Sequence, residues 1–422
     1  MYTFKRYRYF MDVFKQAKII VTKLVKAGHT AYFAGGWVRD YVMGHPSEDI
    51  DIATDATPAQ IMDIFPNTLL IGLAFGVVIV VWEGHQFEVA TFRKDLDYVD
   101  GRHPTGIVLS TAREDALRRD FTINGMFYDP LKEVIYDFVN GQEDIRRHLI
   151  RAIGNPHERF QEDRLRMLRA FRFSARFGFA IELETQQAIF ENAEQLFPAV
   201  AIERIWQEFK KMAMYPCFDQ AIVEMHRLTL LDVIFPELKG LPINELRHLV
   251  EAYKRFPKNC ATIFYLIVLM PRLNREEKIE VAKRLKVTNR DLKLLHYFED
   301  LNQLIKKEKE NGLEDLYPWA HALANPDFSI VVEVIAATFP LNKGNELLIQ
   351  LKNRFEKLKS HIERIQQKTP LISSALLQAN GISAGKQMGI LLTEAEKLAI
   401  NNDYQDSQTV LNALKQTMLW KI

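Results

Sequence analysis

The amino-acid sequence predicts an α+β protein, in which a mixed α/β domain precedes a long region built only of helices. Three observations lead to this prediction. Before residue 150, short β-branched runs alternate with helical segments and turns. Beyond residue 160, apolar residues recur at helical spacing almost throughout. Apolar residues make up 48% and charged residues 26% of the 422 residues, which is ordinary for a globular protein.

The individual elements follow from the patterns of apolar and turn residues. Five β-branched runs bounded by turn residues predict strands, at residues 30–35, 50–54, 77–82, 86–92 and 134–138. Helices are predicted at Val13–Ala27 and at Thr57–Phe65, where Thr57 is the expected N-cap and Pro58 the first helical residue. Apolar periodicity predicts the later helices, at residues 162–177, 184–196, 202–214, 245–256, 275–285 and 345–367.

Composition restricts the partners and the compartment. The formal net charge is +1, so an RNA-binding surface would need locally clustered basic residues. The two cysteines, Cys217 and Cys260, are far apart and in no metal-ligand spacing, which favours a reducing, cytoplasmic location. The longest apolar stretch, residues 69–82, contains two glycines and is too short to cross a bilayer, so no membrane association is expected.

A pair of aspartates is the first candidate for catalysis. Asp49 and Asp51 lie in a predicted strand in which they alternate with two isoleucines, so both carboxylates are expected on one face. Like charges this close repel unless a cation lies between them, and hard carboxylate oxygens suit Mg²⁺. The alternative is an exposed edge strand whose acidic side chains are simply solvated.

Two further motifs contain groups that suit a phosphate ligand. Gly35 and Gly36 lie between a predicted strand and a predicted helix, where glycine lets backbone N–H groups approach a phosphate. On its own such a pair more often marks a tight turn. Arg118, Arg119 and Asp120 place planar, multidentate donors beside an acceptor, which can hold phosphate and ribose. The alternative for these arginines is the solvated C-terminus of a helix.

The predicted helix at residues 162–177 is rich in arginine, with five between Arg164 and Arg176. Asp163 and Arg166 are three residues apart, so they are expected on one face of this helix, while its leucines and phenylalanines pack on another. The alternative is a surface ion pair, which contributes little to stability.

These motifs follow one another in a characteristic order. They are Gly-Gly-x-x-Arg-Asp at 35–40, Asp-x-Asp at 49–51, Arg-Arg-Asp-Phe-Thr-x-Asn at 118–124, Asn-Gly at 140–141 and Glu-Asp-x-x-Arg at 162–166. Over residues 30–215 the sequence resembles the class II tRNA nucleotidyltransferases, that is, the CCA-adding enzymes and their poly(A) polymerase relatives. The resemblance implies a polymerase-beta-like α/β head and an elongated all-α region. The implied domains are a catalytic head at 1–152, a helical neck with a base-recognition helix at 153–214, a helical body at 215–300 and a tRNA-binding helical tail at 301–422.

The resemblance also implies an activity and the residues responsible for it. The implied reaction is template-independent addition of CCA to the 3′ end of tRNA from CTP and ATP, with release of diphosphate. Asp49 and Asp51 would be catalytic and would bind two Mg²⁺ ions, and Glu88 would be a third ligand unless it pairs with an arginine across the strands. The residues expected to bind nucleotide are Gly35, Gly36, Arg39, Arg118, Asp120, Asn124, Asp163, Arg166 and Arg169, supported by Arg93, Glu162 and Arg204. The acceptor stem and elbow of tRNA are the expected partner surfaces.

The resemblance assigns Asp163 and Arg166 the task of reading the incoming base. A carboxylate only accepts hydrogen bonds and a guanidinium only donates them. Cytosine and adenine both present an exocyclic amine beside an unprotonated ring nitrogen, whereas uracil and guanine present a carbonyl beside an N–H. One such pair therefore suits CTP and ATP and rejects UTP and GTP, because a mismatch leaves charged groups unpaired.

The sequence distinguishes less sharply among members of this family. Residues 93–104 resemble a flexible loop needed for the final adenosine, so a CC-only enzyme is not expected. Residues 70–78 are closer to the pattern of CCA-adding enzymes than to that of poly(A) polymerases. Two residues depart from the CCA-adding pattern: Val77 is at a position where threonine is common, and Gly125 is at one where alanine is common. The alternatives are an A-adding enzyme, a poly(A) polymerase and an inactive RNA-binding relative. Basic helices at 275–284 and 353–364 are candidates for tRNA contact, with solvated faces as the commoner explanation.

Deletion of residues 94–103 should leave addition of the two cytidines intact and abolish addition of the terminal adenosine, because the resemblance assigns this loop to the switch to ATP. Labelled CTP and ATP, supplied separately to tRNA transcripts that end before CCA or after CC, would measure the two steps. Normal incorporation of adenosine by the deletion variant would contradict the assignment.

Overall fold

The computed structural model describes residues 2–45, 47–69, 76–95, 107–312 and 315–420. The chain divides into two compact units, Met1–Ile243 and Asn244–Ile422. Within the described residues, strands and helices form the first unit and helices alone form the second, which confirms the predicted α+β class. The finer division into head, neck, body and tail stays a prediction. Most of the predicted loop, from residue 96 to 104, and residues 70–75 lie outside the described residues.

Seven strands of the first unit form one mixed sheet. The strands in the described ranges are β1 (Ala31–Ala34), β2 (Asp51–Thr54), β3 (Thr68–Leu69), β4 (Val77–Trp82), β5 (His85–Thr91), β6 (Arg93–Asp95), β7 (Ile107–Leu109), β8 (Met126–Asp129), β9 (Val134–Asp137), β10 (Leu149–Ile150) and β11 (Ala180–Ile181). The sheet order is β3-β4-β5-β2-β1-β8-β9, with β2 and β5 parallel and the other neighbours antiparallel. The five predicted strands are confirmed as β1, β2, β4, β5 and β9, whereas β8 and the shorter β3, β6, β7, β10 and β11 are not among them.

Helices make up the rest of both units. In the first they are α1 (Tyr2–Lys26), α2 (Gly36–Val42), α3 (Pro58–Ile64), α4 (Ala112–Leu117), α5 (Gly141–Arg146), α6 (Pro156–Glu162), α7 (Leu165–Phe177), α8 (Leu183–Asn192), α9 (Ile202–Met212), α10 (Phe218–Arg227) and α11 (Leu230–Ile234). The remaining helices are α12 (Ile243–Val250), α13 (Thr262–Ile267), α14 (Arg275–Arg284), α15 (Asn289–Asn311), α16 (Tyr317–Ala324), α17 (Phe328–Ala337), α18 (Leu341–Lys357), α19 (Lys359–Gln367), α20 (Ser374–Ala379), α21 (Lys386–Asn401) and α22 (Ser407–Lys415). No helix in the described ranges has the length and apolar character needed to cross a bilayer.

The start of α3 illustrates how local sequence sets a boundary. As predicted, Thr57 is the N-cap and Pro58 occupies the first turn. The Thr57 hydroxyl accepts a hydrogen bond from the Gln60 backbone N–H at 3.3 Å, and the Gln60 side chain accepts one from the Thr57 backbone at 2.8 Å. Such a reciprocal capping box satisfies two donors that a helix start otherwise leaves unpaired.

The two faces of the sheet are covered differently. On one face, Phe33, Ile52 and Val89 form a row across three neighbouring strands and are fully buried. This is the face on which α1 packs, through a ring contact between Phe14 and Phe33. Because side chains alternate along a strand, Asp51 points to the opposite face. There a small apolar cluster covers the sheet beside it, consisting of Ala34, Ala53, Phe92, Ala116 and Phe127.

The predicted helix at residues 162–177 is interrupted, which corrects the expectation for Asp163. Helix α6 ends at Glu162 and α7 begins at Leu165. Asp163 lies between them in extended backbone (φ −146°, ψ 104°), and its carboxylate accepts a hydrogen bond from the Leu165 N–H at 3.0 Å. A short acidic side chain satisfies the free N–H groups of a helix start better than it supports a helix interior, so the chain breaks here. Asp163 and Arg166 therefore do not share one continuous helical face.

Ion pairs along α7 explain its many arginines. The pairs are Arg166 with Glu162 at 2.6 Å, Arg169 with Asp120 at 2.8 Å, Arg172 with Glu208 at 2.6 Å and Arg176 with Asp40 at 2.9 Å. The four carboxylates come from different parts of the first unit: α6, the segment after α4, α9 and α2. The dense arginines are therefore neither a solvated face nor all available to a ligand, because four of them fasten α7 to its neighbours.

In the second unit, two basic residues from the helices proposed for RNA contact are buried. Lys278 of α14 is 9% exposed and pairs with Glu299 at 2.9 Å. Arg354 of α18 is 8% exposed, donates to Glu308 at 2.8 Å and lies 4.1 Å from the Trp319 ring. Both side chains stabilise the unit internally, so only the remaining basic residues of these helices are candidates for contact with RNA.

Candidate active site

The predicted carboxylates meet on the face of the sheet opposite α1. Asp51 is the first residue of β2 and Asp49 lies two residues before it, while Ile50 and Ile52 are buried as expected. The pairing of Ile52 with Val89 places Asp51 beside Glu88 on the parallel neighbour β5. Asp49 and Glu88 are exposed and Asp51 is half-buried. The structure thus brings the two aspartates and the glutamate to one place.

The charges at this place are unbalanced. Burial, together with the nearby charges of Asp49 and Glu88, raises the pKa of Asp51 to about 7, while Arg119 opposes the shift. Several hard carboxylate oxygens with one opposing cation form a donor set that fits a divalent metal ion. Within the described residues, no three Asp, Glu, His or Cys side chains form a complete metal-binding group by themselves. Such incompleteness is compatible with an ion that keeps water and substrate oxygens as ligands.

Gly35 is required by its conformation and by its surroundings. It connects β1 to α2 with φ 66°, a left-handed conformation that favours glycine. A Cβ atom on Gly35 would lie 3.1 Å from Arg119 Nη1 and 3.9 Å from Asp51 Oδ2. Gly36 then begins α2, as the sequence predicted. The bare backbone of Gly35 therefore lies against the acidic site, and its contact with phosphate stays a prediction.

Asp115 holds the two adjacent arginines that follow α4. Its Oδ1 accepts hydrogen bonds from Arg118 Nε at 2.9 Å and Nη2 at 2.6 Å, and its Oδ2 accepts from Arg119 Nε at 3.1 Å and Nη2 at 3.0 Å. Arg118 and Arg119 are thus anchored side chains, and neither is a freely solvated arginine at a helix end. Asp115 was not among the predicted site residues, although its spacing of three and four residues from the arginines on a helix indicated such pairs.

A buried polar network connects four further predicted residues. Arg39 Nη1 donates to Asn124 Oδ1 at 2.6 Å, Asn124 Nδ2 donates to Asp120 Oδ1 at 3.1 Å, and Arg169 Nε donates to Asp120 Oδ2 at 2.8 Å. Arg39 is only 3% exposed and also pairs with its neighbour Asp40. In this arrangement Arg39 organises the residues around it, and its direct contact with a nucleotide stays a prediction.

The pKa of Asp120 shows how strongly this network is held together. Burial alone would raise the pKa of this carboxyl, but the Arg169 guanidinium and the hydrogen bond from Asn124 outweigh it and hold the pKa well below the ordinary range. Asp120 is therefore a permanent anion that joins the segment after α4 to α7.

The predicted base-reading residues lie at the junction of α6 and α7. Arg166 donates to Glu162 at 2.6 Å and to the Arg159 carbonyl at 3.1 Å. Asp163 receives a weak contact from Arg204 at 3.5 Å. Glu162 and Arg204 therefore contact these two side chains, and their role in supporting nucleotide binding stays a prediction.

A hydrogen bond connects this junction to the arginines beside the acidic site. Arg166 Nη2 donates to the Arg118 carbonyl at 3.4 Å. Arg118 Nε donates in turn to the Arg93 carbonyl at 3.0 Å, so Arg93 takes part through its backbone. The segment Leu117–Arg119 thus lies between the carboxylates and the start of α7.

Comparison with known proteins identifies the family. A family model described as the poly A polymerase head domain matches residues 31–151, and one described as the probable RNA and SrmB binding site of polymerase A matches residues 178–241. The CCA-adding enzyme of Pediococcus pentosaceus is 32% identical over 405 residues, covering 96% of this chain and 98% of the relative. The chain belongs to the CCA-adding enzyme family. The family member of Lactobacillus helveticus is 30% identical over 407 residues, covering 94% of this chain and 95% of the relative.

A solved structure of a CCA-adding enzyme agrees with this assignment. The crystal structure of the Bacillus stearothermophilus enzyme in complex with CTP matches with a TM-score of 0.74 and 27% identity, over 96% of this chain and 97% of that one. Membership of the CCA-adding enzyme family implies that a divalent metal ion is used, and the binding of such an ion by Asp49, Asp51 and Glu88 stays a prediction.

Replacement of Asp120 by Asn should make the free energy of unfolding depend less on pH. At neutral pH the variant should lose about 3 kcal/mol, the lower end of the range for a buried pair, because Arg169 is partly exposed. A lowered folded-state pKa contributes stability above the ordinary aspartate pKa and loses it as the pH falls toward the folded value. The difference in melting temperature between wild type and variant should therefore shrink from roughly pH 5 to pH 2.

Glu143→Gln is the control for this experiment, because Glu143 pairs with two exposed arginines, Arg146 and Arg147, and such surface pairs contribute little to stability. Its melting temperature should stay close to that of the wild type at each pH. A difference for Asp120→Asn that does not change with pH would show that its charge is not coupled to folding.

Proposed function

We propose that this protein adds CCA to the 3′ end of tRNA, using CTP and ATP and releasing diphosphate. The observation that supports this most strongly is the placement of Asp51, with Asp49 and Glu88 near it, beside Gly35 and Arg119. The chain is related over nearly its whole length to CCA-adding enzymes. In each cycle the terminal 3′ oxygen of the RNA bonds to the α-phosphorus of the nucleotide. The bond from that phosphorus to the bridging oxygen breaks, and the diphosphate leaves.

The acidic residues would supply the electrostatics of this transfer. Asp49 and Asp51, with Glu88 as a third ligand, would hold Mg²⁺, which in a two-metal arrangement activates the attacking hydroxyl and neutralises the triphosphate. The mutual repulsion that raises the pKa of Asp51 is what a bound cation would relieve. Arg119, the neighbouring cation in the structure, would hold part of the anionic nucleotide against Gly35.

Base selection would occur where α6 gives way to α7. Asp163 would accept a hydrogen bond from the exocyclic amine of cytosine or adenine, and Arg166 would donate to the adjacent ring nitrogen. Support comes from the contacts that orient both side chains, through Arg204 for Asp163 and through Glu162 for Arg166. A preorganised pair discriminates more strongly than a flexible one, because a wrong base leaves its charges unpaired.

The partner would be tRNA, held through its acceptor stem and elbow. Residues 178–241 match a family model named for RNA binding, and the solved structures similar to this chain include a Thermotoga maritima CCA-adding enzyme complexed with tRNA, a 20% identical match that supports the fold. Exposed basic residues of the second unit would contact phosphates. The cytoplasmic location stays a prediction.

Transcripts that end before CCA, after C and after CC provide the test, each supplied with single nucleotides and Mg²⁺. We expect CTP incorporation on the first two and ATP incorporation on the third. Asp51→Asn should abolish all three, because it removes a carboxylate of the metal-binding set. Long adenosine tracts on unrelated RNA would favour a poly(A) polymerase, and adenosine addition without cytidine addition would favour an A-adding enzyme.

Replacement of both Asp163 and Arg166 by Ala should reduce the preference for CTP and ATP over UTP and GTP by at least tenfold. The estimate follows from the loss of hydrogen bonds to charged groups, each of which contributes about 1.5–3 kcal/mol. Incorporation of the four nucleotides under competition would measure it. Gln161→Ala, a change at an exposed neighbour on α6, should keep the original preference. Unchanged discrimination in the double variant would refute the proposed base-reading role.

A further inference from the structure

Asp115 is a buried acid that binds two arginines beside the candidate active site. It lies on α4, is 1% exposed, and receives four hydrogen bonds from two arginines. Burial opposes its ionisation, but Arg119 and Arg118 hold its pKa below the ordinary value. Asp115 is therefore an anion placed between two guanidinium groups.

Each oxygen of this carboxylate serves a different arginine. Oδ1 accepts both bonds from Arg118 and Oδ2 accepts both bonds from Arg119. Two bonds from one planar guanidinium that converge on a single oxygen restrict the plane as well as the position of the group. An asparagine at this position would keep one oxygen and replace the other by an amide nitrogen, which cannot accept a hydrogen bond. It could hold one arginine and would lose the other.

The orientation of Arg119 is important because its third nitrogen, Nη1, faces Gly35. With Nε and Nη2 held by Asp115, Nη1 donates to the Asn124 carbonyl at 3.3 Å and lies where a side chain on Gly35 would be. The Phe127 ring supports the guanidinium from one side, 5.0 Å away. Arg119 is consequently held beside Asp51, whose pKa its charge affects.

Asp115 also fixes the first residue of β6. Its Oδ1 accepts a hydrogen bond from the Arg93 backbone N–H at 3.3 Å, and Arg118 Nε donates to the Arg93 carbonyl at 3.0 Å. The backbone of β6 and the arginines after α4 are therefore positioned by the same buried group.

We propose that Asp115 is a positioning residue for nucleotide binding, which holds the Arg119 guanidinium beside the Asp51 carboxylate while it anchors Arg118 and the start of β6. It contacts no substrate itself and acts through Arg119. This inference rests on the proposed function, since it assumes that Arg119 meets the anionic part of a nucleotide. Loss of Asp115 should weaken nucleotide binding more than it slows the chemical step.

The test compares Asp115→Asn with Glu114→Gln in the full-length protein. Glu114 is the preceding residue on α4, is exposed and caps the helix through Thr111, and glutamine keeps an oxygen for that cap. Asp115→Asn should raise KM for CTP and ATP about tenfold or more, with a smaller change in kcat, while Glu114→Gln leaves both near wild-type values. A role in stability alone would lower the melting temperature and leave KM of the folded protein unchanged, which would overturn the proposal.

Arg119→Lys provides a second route that does not depend on the folding of the Asp115 variant. Lysine keeps the positive charge, but it has no planar group that Asp115 could orient through two hydrogen bonds. The KM for CTP and ATP should therefore rise again. If Asp115 acts through Arg119, adding Asp115→Asn to Arg119→Lys should cost less than it does in the wild type. Unchanged KM in Arg119→Lys, or full additivity of the two changes, would refute the inference.

Direct binding of CTP to each variant, measured by calorimetry, separates this inference from the proposed function. If the wild-type protein binds CTP but adds nothing to tRNA, the proposed function is contradicted. The effect of Asp115→Asn can then still be measured as a change in CTP affinity. Wild-type protein that adds CCA while Asp115→Asn binds CTP normally would contradict only the inference. Failure of the wild type both to bind and to add nucleotide would overturn both.

Discussion

The ion pairs of helix α7 are the constraint on which the arrangement of the first unit depends. A charged group taken out of water must find an opposite charge, and leaving one partner alone costs several kilocalories per mole. Four arginines at successive turns of α7 each meet an acid from a different element, among which Asp120 and Asp40 come from segments close to the sheet. The helix has one placement in which all four pairs form together. In the structure Arg166 also contacts the segment after α4, through the Arg118 carbonyl.

The acidic site at Asp51 differs from the other buried carboxylates near it, because arginines neutralise those. Asp120 and Asp115 are surrounded by arginine donors, and the pKa of each is lowered. Asp51 shows the opposite behaviour, because burial and two neighbouring acids raise its pKa while one arginine opposes them. Excess negative charge next to a glycine, which has no side chain, suits a cation together with an anionic substrate. We therefore expect the reaction at Asp51, where arginines do not balance the negative charge of the carboxylates.

Much of the site could be predicted because its motifs are local. Gly35 precedes a helix, as the strand-to-helix pattern predicted. Asp51 begins β2, and Asp49 lies just before the strand, near enough to affect the pKa of Asp51. The interruption at Asp163 was missed, because a residue that can continue a helix can also cap the next one, and periodicity does not distinguish the two. The spacing of Asp115 from Arg118 and Arg119 indicated ion pairs on a helix, but Asp115 was missed because spacing does not reveal that its carboxylate is buried.

The sequence by itself determined the α+β class, the boundaries of the predicted strands, the acidic pair and the family to which the chain belongs. These properties follow from side-chain alternation, capping and residue order, which act over a few neighbouring residues. The tertiary structure alone decided that Glu88 lies beside Asp51, that Arg119 covers Gly35, and that the arginines of α7 hold the unit together. These contacts join residues that are distant in sequence. The pairing of β2 with β5 brings Glu88 to Asp51, and the cost of burying charge favours the ion pairs of the arginines.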